Sequence, residues 1–181
     1  TLYPDSTIKL ISEGSTWRVV MERWEPSAAA SSHTFAGLNG NTDRRYLVRV
    51  IIVSNGVYGS AYLYPNSNSG DTYYKQDFNT YGTAYGASRG SYTGGFFIGN
   101  IDDSNTTMSV GEAVIEAKSG RLRVSRMEWS TYHTSGDAAR ASGYASNNWP
   151  NTADNITSLT AAFGASGFGV GTCIELWKLA Q

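Results

Sequence analysis

The chain has 181 residues, a net charge of −1 and only 16 % charged residues, the deficit being filled by Gly, Ser, Thr, Asn and Tyr. That length suits one domain with a sizeable core, and 40 % hydrophobic residues exclude a disordered chain. A near-neutral chain lacks the basic footprint that phosphate neutralisation demands, and no apolar run is long enough to cross a bilayer. Neither nucleic-acid binding nor membrane insertion is therefore expected.

Residues 1–16 read as an N-terminal lead-in and 17–181 as one domain. The chain begins Thr1-Leu2-Tyr3-Pro4, which reads as a processed product or an excised fragment. Trp17, Val19 and Met21 alternate as in a half-buried strand. Residues 27–32 are Ala/Ser-rich and fit a loop or a helical turn. Arg45–Val53 (RYLVRVIIV) and residues 57–64 (VYGSAYLY) flank Asn55-Gly56. Asn-Gly between two such runs is a strong hairpin signal, because a type I′ turn needs positive φ at both central residues. The first run is apolar on both faces, which predicts a central strand covered on each side.

Residues 65–95 hold Tyr73, Tyr74, Tyr81, Tyr85 and Tyr92 among Asn, Gly, Thr and Ser. Residues 72–78 are predicted as a strand, and the rest of this stretch as exposed loops. Phe96, Phe97, Ile98 and Ile101 restore a core strand. Residues 110–117 and 122–132 predict a second hairpin around Lys118-Ser119-Gly120. Apolar parity changes along its second strand, from Leu122 and Val124 to Met127 and Trp129, which a bulge near Ser125 would explain. Residues 133–155 are polar and turn-rich, 156–161 form a short strand candidate, and 169–179 close the domain. Irregularly spaced short strands with no convincing helix predict an all-β, antiparallel β-sandwich of jelly-roll type.

Little of the sequence carries reaction chemistry. His33, His133 and Cys173 are too few and too scattered for a zinc site, and Asp102-Asp103 reads as a polar turn. One cysteine excludes an intrachain disulfide, and Cys173, inside an apolar strand, reads as a small buried hydrophobe. No nucleophile elbow or phosphate-cradling loop is present, and Glu112 and Glu116 share one face of one strand instead of facing each other across a sugar. The basic clusters Arg44, Arg45, Arg49 and Arg121, Arg123, Arg126 read as solvent-facing strand positions. No enzyme activity and no cofactor are expected.

The aromatic residues are the positive signal, since Tyr and Trp pair a flat apolar face with a hydrogen-bonding edge. Tyr73, Tyr74 and Phe78 read as strand residues that pack inward. Tyr81, Tyr85, Tyr92 and Trp149, set among loop-forming neighbours, are the candidate ligand-binding residues. Trp17, Trp24, Trp129 and Trp177 carry more aromatic surface than a monomer easily hides, which predicts self-association.

Residues 168–179 (FGVGTCIELWKL), with 156–159 (ITSL) before them and 35–46 (FAGLNGNTDRRY) upstream, resemble the closing strands and the entry to a central strand in virion jelly-roll domains of tailed bacteriophages. The resemblance implies a virion-surface, extracellular location, with other virion proteins as partners. It also implies trimerisation at a tail-fibre tip and attachment to a host-cell surface glycan or protein, a carbohydrate receptor being the first expectation. Loops from residues 65–95 and 133–152 would carry the site. Capsid decoration or a head-fibre role, a polysaccharide depolymerase domain, and a lectin-like module of a secreted bacterial enzyme are the alternatives.

Overall fold

The computed structural model describes residues 10–13, 16–53, 55–56, 59–81, 84–92, 94–101, 106–133, 141–164 and 167–179. Its strands are β1 (Leu10–Glu13), β2 (Thr16–Trp24), β3 (Ser32–Phe35), β4 (Arg45–Val53), β5 (Gly59–Pro65), β6 (Tyr73–Tyr81), β7 (Ala84–Tyr92), β8 (Phe96–Ile101), β9 (Thr106–Glu116), β10 (Arg123–His133), β11 (Ala141–Trp149), β12 (Leu159–Phe163) and β13 (Cys173–Leu179). One helical turn, α1 (Gly40–Asp43), precedes β4.

Two antiparallel sheets pack face to face, nine strands in the order β1-β2-β13-β4-β9-β10-β11-β6-β7 against four in the order β3-β12-β5-β8. The pairings are nested: β2 with β13, β3 with β12, β4 with β9 and β5 with β8. Such nesting is what a long hairpin produces when it is rolled up, and it defines the jelly roll. Two hairpin-like additions, β6–β7 and β10–β11, enter between its strands and lengthen one sheet.

The expected β4–β5 hairpin is corrected. β4 lies between β13 and β9 in the long sheet, and β5 lies between β12 and β8 in the short one. Each strand already has two partners, so residues between them cross from sheet to sheet. Of the two turn residues only Gly56 has positive φ, at 85°, so the backbone is not a type I′ turn. The central placement of β4 was legible: Tyr46, Val48, Val50 and Ile52 face the sandwich interior, and Leu47 is buried on the other side.

The β9–β10 hairpin forms as expected, but without a bulge at Ser125; the register runs unbroken from Ser125↔Ile115 to Tyr132↔Met108. The apolar parity was misleading because the inner face of β10 continues through polar residues. Arg123 and Ser125 are fully buried there beside Met127 and Trp129, while Leu122 is exposed. Arg123 is therefore no solvent-facing position. Its guanidinium lies 5.2 Å from the Trp149 ring centroid and donates to the Asp154 carbonyl.

Two further expectations are revised. Residues 84–92 are a strand, and so are 141–149, where only polar turns were foreseen. The inner row of β11 is Ala141, Gly143, Ala145, Asn147 and Trp149. A Cβ at Gly143 would sit 2.5 Å from the Phe78 carbonyl oxygen, so close approach to β6 demands glycine at that point. The core between the sheets is built from Phe35, Leu63, Phe96, Ile98, Leu159 and Phe168, with many others. Trp129 and Trp177 are buried within one chain, so they do not supply the surplus aromatic surface that predicted self-association; the Trp17 side chain lies outside the described residues.

α1 closes one end. The Asn39 side chain accepts from the Thr42 N–H at 3.2 Å, an N-cap bond, and Asp43 turns inward to accept from the Tyr46 hydroxyl at 2.6 Å. Lys178 forms an ion pair with the same carboxylate. Burial pulls the Asp43 pKa upward, but the bonds from Lys178, Tyr46 and the Asn39 backbone outweigh it and hold the carboxyl below its ordinary range.

Candidate ligand-binding face

Nine strands cannot be covered by four. At a spacing of about 4.8 Å per strand the long sheet overhangs its partner, and over β11, β6 and β7 its outer face is exposed. One register row crosses that face: Arg23, Glu175, Arg49, Glu112, Glu128, Tyr144 and Phe78. Its first part is charged. Arg23 contacts Glu175 at 3.3 Å and Arg49 meets Glu112 at 2.9 Å. The Tyr144 hydroxyl donates to Glu128 at 3.3 Å, and from there the row becomes aromatic.

On β6, inward and outward positions alternate cleanly. Tyr73, Lys75 and Asp77 point in, while Tyr74, Gln76 and Phe78 point out. Tyr73 is buried as expected; Tyr74 and Phe78 are not, each being 50 % exposed. Beside them Tyr144 is 61 % exposed and Tyr85, on β7, is 79 % exposed. Phe78 and Tyr85 are diagonal neighbours whose rings stack at 6.4 Å and 25°. A shallow pocket of about 410 Å³ lies at the other end of the same surface, lined by Tyr74, Gln76, Arg89, Ser91, Ser146 and Asn148.

The inner side of the overhang is polar and tied. Ser88 Oγ and Lys75 Nζ both contact the Asp77 carboxylate. Burial would raise the Asp77 pKa, yet those two partners hold it below the ordinary value. The aromatic side chains are thus mounted on paired, internally braced strands, so few degrees of freedom are lost when a ligand lies on them.

The predicted site residues separate. Tyr85 stands on the exposed face. Trp149 does not: it is the last residue of β11, 0 % exposed, with its Nε1–H donating to Asp71 at 2.6 Å and its ring parallel to Tyr73 at 6.4 Å. The expectation that it projects from a loop is corrected, since alternation along β11 points it into the core. The side chains of Tyr81 and Tyr92 lie outside the described residues, although both positions are in strands. Tyr74, Phe78 and Tyr144 were missed. The signal was there in Gln76 and Asn148, polar neighbours in an alternating run.

Asp102 and Asp103 lie outside the described residues, as does the His133 side chain. Among the described residues no group of three or more His, Cys, Asp or Glu could hold a metal ion, and no helix is long and apolar enough to cross a membrane. Cys173 is free and half-buried at the start of β13, where burial pushes its thiol pKa upward. The chain matches no protein-family model and no curated protein.

Proposed function

We propose that the protein is an adhesion domain that binds a host-cell surface carbohydrate through the outer face of β11, β6 and β7, as the tip of a bacteriophage fibre. The observation that carries this reading is the row of Tyr74, Phe78, Tyr85 and Tyr144, each at least half exposed and set among amides, hydroxyls and a guanidinium. Aromatic faces stack on the apolar faces of sugar rings, and the polar groups beside them accept and donate to the hydroxyls. The face is open: Glu112 and Glu128 are register partners, but Glu112 is engaged by Arg49 and Glu128 by Tyr144. An open platform makes each site weak, and a threefold assembly on a virion would multiply it by avidity. The virion and the trimer rest on the resemblance of residues 168–179, 156–159 and 35–46 to phage jelly-roll domains.

A glycan array probed with wild type and with Tyr74→Ala, Phe78→Ala and Tyr85→Ala tests the reading. Binding in each variant is expected to fall about tenfold, the loss of one aromatic contact, with unchanged melting. Unaltered binding in all three would remove the site, and release of reducing sugar would replace adhesion with a depolymerase.

A further inference from the structure

After α1 the chain passes through Arg44 at φ 62° and ψ −39°. A positive φ is uncommon for a residue with a side chain, and paired with a negative ψ it falls outside the small left-handed well, so the backbone is strained there. Nothing lets Arg44 relax: its N–H donates to the Gly40 carbonyl at 2.9 Å and its carbonyl accepts from the Ala117 N–H at 2.7 Å. Strain held in place in this way is a pointer to a role for the side chain itself.

Arg44 lines a pocket of about 350 Å³ with Lys118, Ser119, Gly120 and Arg121, which form the turn between β9 and β10. Three cationic residues thus line one pocket of a chain whose net charge is −1, and no acidic residue is among its lining. Glu116, which Arg121 approaches to 3.9 Å, is already engaged by Arg45 at 2.6 Å. The turn is rigidly held as well. Ser119 donates its N–H and hydroxyl to Asn41 Oδ1 at 2.8 and 2.6 Å, and the Gly120 N–H donates to the Thr152 carbonyl at 2.8 Å.

We propose that this pocket binds a tetrahedral oxyanion, a phosphate or sulfate group carried by a ligand. Two guanidinium forks suit the adjacent oxygens of such a group, and the lysine adds a point charge. The pocket shares no lining residue with the one on the aromatic face, and the proposal does not depend on the carbohydrate reading.

The test is a titration of the full chain with inorganic phosphate, sulfate or acetate at fixed pH and ionic strength, followed through the backbone amide resonances of residues 118–121. Saturable shifts are expected with the tetrahedral ions and not with acetate. Phosphate-selective binding identifies a phosphate ester as the source and sulfate-selective binding a sulfate ester. Arg44→Gly is expected to weaken binding about tenfold or more while melting no lower than wild type, because glycine relaxes the positive φ. Arg121→Ala is expected to weaken it similarly. Non-saturating shifts, equal affinity for acetate, or unchanged affinity in both variants would overturn the proposal. So would a lower melting temperature for Arg44→Gly, which would make Arg44 a support of the fold.

Discussion

Over β2, β13, β4 and β9 the outer face of the long sheet is laced by ion pairs such as Arg49–Glu112, and the inner face is sealed by the second sheet. Over β11, β6 and β7 the outer face carries Tyr144, Phe78, Tyr74 and Tyr85, and strand β7 is exposed along nearly all its length. The same kind of backbone ladder therefore supports two different economies. In the sandwich, apolar residues are buried to hold the fold; in the extension, apolar residues are displayed while backbone pairing and small side chains hold the strands.

Substitutions can break that division. The largest expected effect is at Trp149, where sandwich and extension meet. Trp149→Ala removes a fully buried ring and leaves Asp71 without its partner, so unfolding free energy measured in denaturant should fall by about 3–5 kcal/mol. A loss near zero would place Trp149 outside the core. Next is Asp43→Asn, which deletes the charge facing Lys178. Since Lys178 is partly exposed, a cost of about 2 kcal/mol at neutral pH is expected. The Asp43 pKa is depressed in the folded state, so its contribution is complete above the unfolded carboxyl value of about 3.9 and is lost as pH falls through the lower folded value. Wild-type stability should consequently drop more steeply on acidification than that of the variant, in which Asp77 keeps part of the slope. Equal slopes would show that the ion pair does not act in solution. The smallest effect is at Phe78. Phe78→Ala should change stability by no more than about 0.5 kcal/mol, because the ring is half in water already. A cost like that of Trp149 would mean that the aromatic row holds the sheet together.

The sandwich was the legible region. Strands β4, β8, β9 and β13 were all foreseen, because burial on one or both faces forces runs such as Phe96–Ile101 to be apolar. Their partners were harder. Asn55-Gly56 has the composition of a hairpin, but tight turns and sheet-to-sheet crossings use the same residues, and only the nested pairing tells them apart. The extension was largely hidden. β7 and β11 are made largely of Ala, Ser, Gly, Asn and Tyr, and apart from Trp149 the inward positions of β11 are small or polar, so no hydrophobic period marks them. For the same reason the candidate site was assigned to loops near Tyr81, Tyr92 and Trp149, when alternation along β6 had placed Tyr74 and Phe78 outward.

The position of β13 governs how this chain reaches its native state. It lies between β2 and β4 and pairs with both, so without residues 173–179 these two strands have no shared partner and each presents an open edge. Sequence separations on that scale slow the final search and leave edges open to trapping by other chains.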